Sequence, residues 1–379
     1  MELRLSLHDV AKLGERIRIF VITGGPCGGK TSALSRLHRT LTDRGYRVLV
    51  VPEAATKLIN GGIDPISYGI VPFQAAILRD ILMQEYTFVE AARRYRDQGQ
   101  NVVILCDRGI MDNEAYVGTE QFGAIIKSFG FTYHELCDHR YHAVFHLVTA
   151  ADGAEEHYTL ANNAARSETP EEARALDART LAAWQRHQHP RIFDNSTDFE
   201  EKLRRVTAEM FAFLGDPIPR EIEEKFLLDP TTIPGDLRAH CHATHITQHY
   251  LVSPHPTEEH RVRRREDAGG CSYYYTIKRH AADGERIETE RMLTHREYTA
   301  LLSLHDPTLQ PIEKDRVTFF FGGQFFEVDF FRDYPVVLME AEKPDKTRNV
   351  PFPPFLSVIR NVTDDQRYYN RNIAAGSLR

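Results

Sequence analysis

Five short stretches of the first half are apolar throughout: residues 17–23 (IRIFVIT), 47–51 (RVLVV), 101–106 (NVVILC), 143–148 (AVFHLV) and a brief 191–194. Runs without polar alternation read as strands buried on both faces. Helix-favouring sequence lies between them, over residues 30–44, over 72–96 with Phe73, Ile77, Ile81 and Leu82 at helical spacing, and again up to Phe213. Apolar strands separated by helices predict a parallel sheet covered on both sides.

The pattern changes at residues 214–220 (LGDPIPR), where two prolines and a glycine suit a linker. After it the segments are short and alternate: 221–227, 245–252, 260–265, 273–279, 286–292, 316–321, 324–331 and 336–343, with one helix predicted over 294–304. Many short strands of even spacing predict an antiparallel sheet closing toward a barrel. The expected division is therefore an α/β domain over 1–214, a linker over 215–219 and an α+β domain over 220–379. No internal repeat or low-complexity tract is visible, and the tail from Asn370 is expected to fray.

Composition narrows the function classes. With 42% hydrophobic and 27% charged residues over 379 positions, both halves can bury a core. A net charge of −7 gives no long-range attraction for nucleic acid, so any anion must be gripped by a local basic cluster. No apolar run approaches the roughly 20 residues that span a bilayer, and the first 18 residues lack a signal-peptide core. The five cysteines are scattered, with no C-x-x-C pair, which suggests a reducing, cytoplasmic setting.

Residues 24–31 read GGPCGGKT, a full G-x-x-x-x-G-K-[ST] phosphate loop between an apolar strand and a helix. Gly24, Gly25, Cys27, Gly28 and Gly29 let backbone N–H groups turn toward phosphates, Lys30 is placed to reach the β- and γ-phosphates, and Thr31 to ligate Mg²⁺. Glu53 follows the second strand and Asp107–Arg108 the third. Ligands sit at the carboxyl ends of parallel strands, so these residues should face the loop. Asp107 is the expected second Mg²⁺ ligand, Glu53 a general base, and Arg108 a further nucleotide contact. Residues 162–189 read as a helical lid whose Arg166 or Arg174 could meet the transferring phosphoryl group. No N-K-x-D or T-K-x-D stretch follows the fourth strand, so ATP and GTP both remain candidates. These residues resemble the kinase-like P-loop families, a resemblance that implies a parallel sheet of order 2-3-1-4-5.

The second half repeats one device. Same-face charges recur at Glu221, Glu223 and Lys225; at Arg261 and Arg263; at Glu288 and Glu290; at Lys314 and Arg316; and at Glu340 and Glu342, with Lys278 and Asp329 in neighbouring strands. The residues between them are largely apolar, so periodicity alone leaves open which face is inward. Chemistry favours a charged interior, because carboxylates take hard Mg²⁺ or Mn²⁺ while Lys225, Arg261, Arg263, Lys278, Lys314 and Arg316 clamp phosphate oxygens. The candidate metal ligands there are Glu221, Glu223, Glu288, Glu290, Asp329, Glu340 and Glu342. A histidine cluster at His240, His242, His245, His249 and His255 has no single period and reads as ordinary sheet histidines.

The E-x-E-x-K, R-x-R, E-x-E, K-x-R and E-x-E pairs, with the closing segment 365–370, resemble the CYTH domains, or triphosphate tunnel metalloenzymes. That resemblance implies a tunnel barrel that hydrolyses or binds triphosphates, with Glu221, Glu223, Glu340 and Glu342 on metal. The two domains in this order resemble the TRPL translocation defect protein family, which implies nucleotide binding, GTP among the ligands, and binding of phosphoinositide headgroups at a membrane surface. Two readings follow: a Mg²⁺-dependent phosphotransferase or NTPase joined to a triphosphate-processing tunnel, or a nucleotide-operated switch whose tunnel is a receptor.

Overall fold

The structure, a computed structural model, describes residues 9–158, 169–215, 223–235, 237, 241–255, 257–267, 270–280, 286–322, 324–343 and 349–378. The chain divides into two compact units, Met1–Met210 and Phe211–Arg379. Most of the stretch expected to link two domains lies outside the described residues.

In the first unit, β1 (Ile17–Thr23), β2 (Arg47–Val51), β3 (Val102–Asp107), β4 (Ala143–Leu147) and β5 (Pro190–Phe193) form a sheet of order β2-β3-β1-β4-β5. All its ladders are parallel. β4 is buried at every position, as a strand covered on both faces must be. Helix α1 (Lys30–Asp43) buries Ala33, Leu34, Leu37 and Leu41, one stripe at three- and four-residue spacing. Short α2 (Ala54–Asn60) and α3 (Pro65–Tyr68) precede α4 (Ile70–Asp97), which buries Phe73, Ile77, Leu78, Ile81, Leu82 and Val89. Helices α5 (Glu114–Ser128), α6 (Tyr133–Leu136), α7 (Pro170–Ala183) and α8 (Phe199–Phe213) complete the unit.

Residues 162–168 of the helical stretch expected over 162–189 lie outside the described residues. Helix α7 starts where Thr169 caps Glu172 N–H and Pro170 occupies the first turn, and it ends at the buried Trp184, short of residue 189. Its buried face, with Ala173, Leu176, Asp177, Thr180 and Ala183, makes it a docked element.

The second unit contains β6 (Glu223–Leu228), β7 (His242–Leu251), β8 (Glu258–Asp267), β9 (Gly270–His280), β10 (Arg286–Leu293), α9 (His295–Leu302), β11 (Ile312–Phe321), β12 (Gln324–Phe331), β13 (Val337–Glu342), β14 (Val358–Asn361) and α10 (Asn370–Ala374). Its strands form an antiparallel nine-stranded sheet, β10-β9-β8-β7-β11-β12-β13-β6-β14. One face is apolar: Phe226, Leu228, Val317, Phe319, Phe326, Val328, Met339 and Ala341 pack with Val350 and Leu356. The other face carries the charged pairs, and this resolves the ambiguity that alternation leaves open.

That charged face is curled. Lys225 on β6 and Lys278 on β9 stand six strand steps apart along the ladder, roughly 29 Å in a flat sheet at about 4.8 Å per step. Charges that far apart are screened from one another. Yet the Lys278 ammonium is among the groups that act on Lys225, behind burial and the carboxylates Glu340 and Glu223. The sheet therefore wraps its charged face inward, where Lys314, Arg316, Arg261 and Asp329 are all buried.

One end of this interior is apolar. Tyr250, Ile312, Phe331 and Leu338 continue the charged face, and Val362, Tyr368, Ile373 and Ala374 pack onto them. The tail expected to fray instead forms α10, tied down by Gln310 N–H to Ala374 O (2.9 Å) and Tyr334 O–H to Ile373 O (3.2 Å). Its two apolar residues outweigh the proximity of the chain terminus.

Candidate functional site

The phosphate loop joins β1 to α1. Gly24 has φ +137°, and a Cβ there would lie 2.0 Å from the Leu147 carbonyl oxygen, so only glycine lets the loop cross the end of β4. Gly29 enters α1 at φ +90°, and Cys27 holds the left-handed region without glycine's freedom, at φ 56°. Lys30 is buried and folds back over the loop, donating to the Gly24 and Gly25 carbonyls at 3.1 Å each. Thr31 is exposed at the first turn of α1.

The strand-end acids gather beside it. Burial first, then the Glu53 carboxylate, raises the Asp107 carboxyl to about 6, against the pull of Lys30 and Arg108. Burial also raises Glu53, but Arg108, Thr56 and Lys30 outweigh it and hold that carboxyl below its usual range. Arg108 donates to Glu53 at 2.6 Å and lies 3.7 Å from Asp112. It sits at φ 70°, a conformation costing about 1–3 kcal/mol that must be held by its surroundings. Asp112 supplies that hold. Its carboxylate accepts from Thr23 Oγ1 (2.7 Å), Trp184 Nε1 (2.6 Å) and Gly109 N–H (3.2 Å). Lys30, Glu53, Asp107 and Arg108 thus share one electrostatic neighbourhood.

The lid candidates have other partners. Arg166 lies outside the described residues. Arg174 donates to the Ala151 carbonyl at 2.6 Å and to Glu171 at 2.8 Å. What α7 brings to the loop is Asp177, which no local motif marks. Its carboxylate accepts Gly25 N–H at 2.5 Å and lies 3.1 Å from His146 Nε2. Burial raises that carboxyl, but His146 and the hydrogen bonds from Gly25 and Thr149 win and hold it below its ordinary value. Lys202 of α8 is likewise buried, donating to Val148 O (2.8 Å) and Asn195 Oδ1 (2.7 Å), and burial depresses it to about 8.

In the second unit the inward charges pair across strands. Arg316 meets Asp329 through two bonds of 2.7 Å, Glu340 at 2.9 Å, and Glu327. Lys314 also binds Asp329, and Lys225 binds Glu340 at 2.7 Å. On the facing wall Arg261 meets Glu288 at 3.1 Å, Lys278 meets Glu288 at 2.5 Å, and Arg263 meets Glu290. Lys225, Lys314 and Arg316 drive Glu340 well below the carboxylate range despite burial, and Arg316 and Lys314 do the same more weakly for Asp329. Glu327, missed in the sequence reading, was legible two residues before Asp329 in FEVDFF.

Among the described residues no three of His, Cys, Asp and Glu converge to hold a metal ion. Of the carboxylates expected on metal, Glu288, Glu290, Asp329 and Glu340 pair with guanidinium or ammonium groups, and Glu223 lies 3.9 Å from Lys225. Glu223 and the exposed Glu342 face one another across β6 and β13, farthest from the apolar end, while Glu221 lies outside the described residues. As donors, hard carboxylate oxygens suit Mg²⁺ or Mn²⁺ there, and Thr31 with Asp107 suits Mg²⁺ at the phosphate loop. The histidines divide between both faces: His242 lies 3.2 Å from Asp267, His245 3.0 Å from Asp315, and His249 stacks edge-on with His305, while His240 is outside the described residues.

The first unit is a P-loop nucleotide-binding unit, and the second a sheet wound around paired charges. The family model described as AAA domain matches residues 19–202. No curated protein matches the chain. Among solved structures, an inorganic triphosphatase is similar at 29% identity, over 41% of this chain and 94% of its own, with a TM-score of 0.29. An adenylyl cyclase candidate from Hippeastrum, described as having a dominant triphosphatase activity, is 17% identical over 34% and 81%, with a TM-score of 0.26. A protein from Pyrococcus horikoshii is 20% identical over 32% and 77%, also at 0.26. Among the described residues no helix is long and apolar enough to cross a membrane.

Proposed function

We propose that the protein binds a purine nucleoside triphosphate with Mg²⁺ at the phosphate loop and transfers or hydrolyses its terminal phosphoryl group, while the charged channel of the second unit takes a linear triphosphate or another polyphosphorylated ligand. The observation that carries the first part is the cluster of Lys30, Glu53, Asp107 and Arg108 at the loop. Thr31 and Asp107 would hold Mg²⁺, which would supply charge neutralisation to the bound phosphates. Lys30 leaves the Gly24 and Gly25 carbonyls for the phosphates. Glu53, kept ionised by Arg108, can accept a proton from an attacking water or hydroxyl. The inward cations of the second unit support the other part. Six lysines and arginines cannot be left in a buried space without anions, and a polyphosphate competes for them with the resident carboxylates.

Two assays test this. Phosphate release is measured from ATP, GTP and tripolyphosphate with Mg²⁺ or Mn²⁺. Lys30→Ala should weaken nucleotide affinity by at least about tenfold, near 1.4 kcal/mol, and leave tripolyphosphate processing intact. Arg263→Ala should do the reverse. Tight binding without release would favour the switch, and preference of the channel for inositol phosphates over tripolyphosphate would favour the phosphoinositide receptor of the TRPL-type reading. Failure of both units to bind any of these anions would sink the proposal.

A further inference from the structure

We infer that helix α7 is a positioning strut for phosphoryl transfer: through Trp184 and Asp112 it fixes Arg108, and with it Glu53, relative to the phosphate loop. The inference rests on the reading of Glu53 as the base and assigns the residues that place it.

Two contacts of α7 define the strut. Asp177 accepts Gly25 N–H at 2.5 Å, which ties the helix to the phosphate loop. About two helical turns further on, Trp184 donates from Nε1 to Asp112 Oδ1 at 2.6 Å, so both side chains leave one face of the helix. Trp184 and Asp112 are both buried.

Asp112 is where the strut meets the base. Its Oδ1 also accepts from Thr23 Oγ1 at 2.7 Å, and Thr23 is the last residue of β1, directly before the loop. Its Oδ2 accepts Gly109 N–H at 3.2 Å and lies 3.7 Å from Arg108 Nη1. That Nη1 is buried with no hydrogen-bond partner among the described residues. The guanidinium is thus held by the charge of Asp112 on one side and by its 2.6 Å bond to Glu53 on the other. One carboxylate fastens the ends of β1 and β3 to each other and to α7.

A buried indole N–H takes some acceptor in any fold. What distinguishes this one is that its acceptor is the carboxylate facing Arg108, and that the ring abuts the arginine's neighbour. A Cβ at Gly109 would lie 2.7 Å from the Trp184 ring and 2.9 Å from Val21. Loss of the indole N–H leaves Asp112 one donor short, and such a carboxylate turns toward the cation beside it, drawing Arg108 off Glu53. Glu53 keeps the hydrogen bond from Thr56 Oγ1 at 2.6 Å, and so stays in the site without the arginine that fixes its orientation.

The test is a double-mutant cycle on the full chain. Phosphate release from ATP and GTP with Mg²⁺ is measured as single turnovers, less the release by Lys30→Ala, and nucleotide affinity by calorimetry. Trp184→Phe keeps a ring and removes the N–H. It should lower the turnover rate at least about tenfold while affinity stays within about twofold. In a Glu53→Gln background the same change should cost less than about twofold, because the base it places is already gone. Where Glu53→Gln is too slow to time, Arg108→Lys takes its place in the cycle. A merely structural role would lower the rate by the same factor in both backgrounds, or lower it through lost affinity, and either result overturns the inference. So does full turnover by Trp184→Phe. If the parent shows no Lys30-dependent release, or Glu53→Gln is fully active, the reading of Glu53 itself fails and the strut falls with it. Should Trp184→Phe fail to fold, Thr23→Val, which removes another donor to Asp112, goes through the same cycle.

Discussion

Asp177 illustrates how a single side chain can set a loop without belonging to its motif. Its carboxylate holds the second glycine of the phosphate loop while resting against His146. Charge-assisted hydrogen bonds of this kind contribute about 1.5–3 kcal/mol. Asp177→Asn should therefore lower the melting temperature at pH 7 and weaken nucleotide binding. The pH dependence has a definite sign. The folded carboxyl titrates below its unfolded value, which is near 4. Its stabilisation is fully present above about pH 4 and is lost as pH falls through the folded value. The melting difference between the native protein and Asp177→Asn should accordingly be largest near neutrality and shrink below about pH 4. A difference that stays constant with pH would mean that the carboxylate's charge contributes nothing.

Among the elements, the parallel strands were legible because their apolar runs are uninterrupted: β2 spans residues 47–51 as read from RVLVV. The charged strands were legible through period two, although which face turns inward needed the packing of Val350 and Leu356 from a distant segment. β14 was missed, because only Val358 of its four residues is partly buried, against the apolar face, and the other three are exposed, leaving no pattern to read. The contact of Asp112 with Trp184 was missed for a different reason: the two stand 72 residues apart with no motif joining them, and only the fold brings the indole to the carboxylate. Helix α10 was misjudged from its place near the chain end. Its packing makes a prediction: Ile373→Ala should cost the second unit about 2–5 kcal/mol, the range for truncating a buried isoleucine, seen as a lower melting temperature. A frayed tail would show no change.

At the scale of the molecule, charge separates two accounts of how an anion is attracted. The net charge of −7 repels a polyphosphate, and salt screens that repulsion. If the global charge governed binding, added NaCl would strengthen it. If the inward cations govern it, salt should weaken it, because counterions compete at Lys225, Arg261, Arg263, Lys278, Lys314 and Arg316. Calorimetric titration of tripolyphosphate into the Lys30→Ala protein between about 0.05 and 0.5 M NaCl, where the Debye length falls several-fold, should show affinity decreasing steadily. Affinity that rises with salt would place the anion on the outer surface.

The apolar cluster of Tyr368, Ile373 and Ala374 has a consequence for the last helix. That helix is moored to the same strands that carry the buried charges, so it serves as a tell-tale for them. Whatever loosens the inner face slackens the mooring, and a protease should reach residues 370–374 before it reaches the strands.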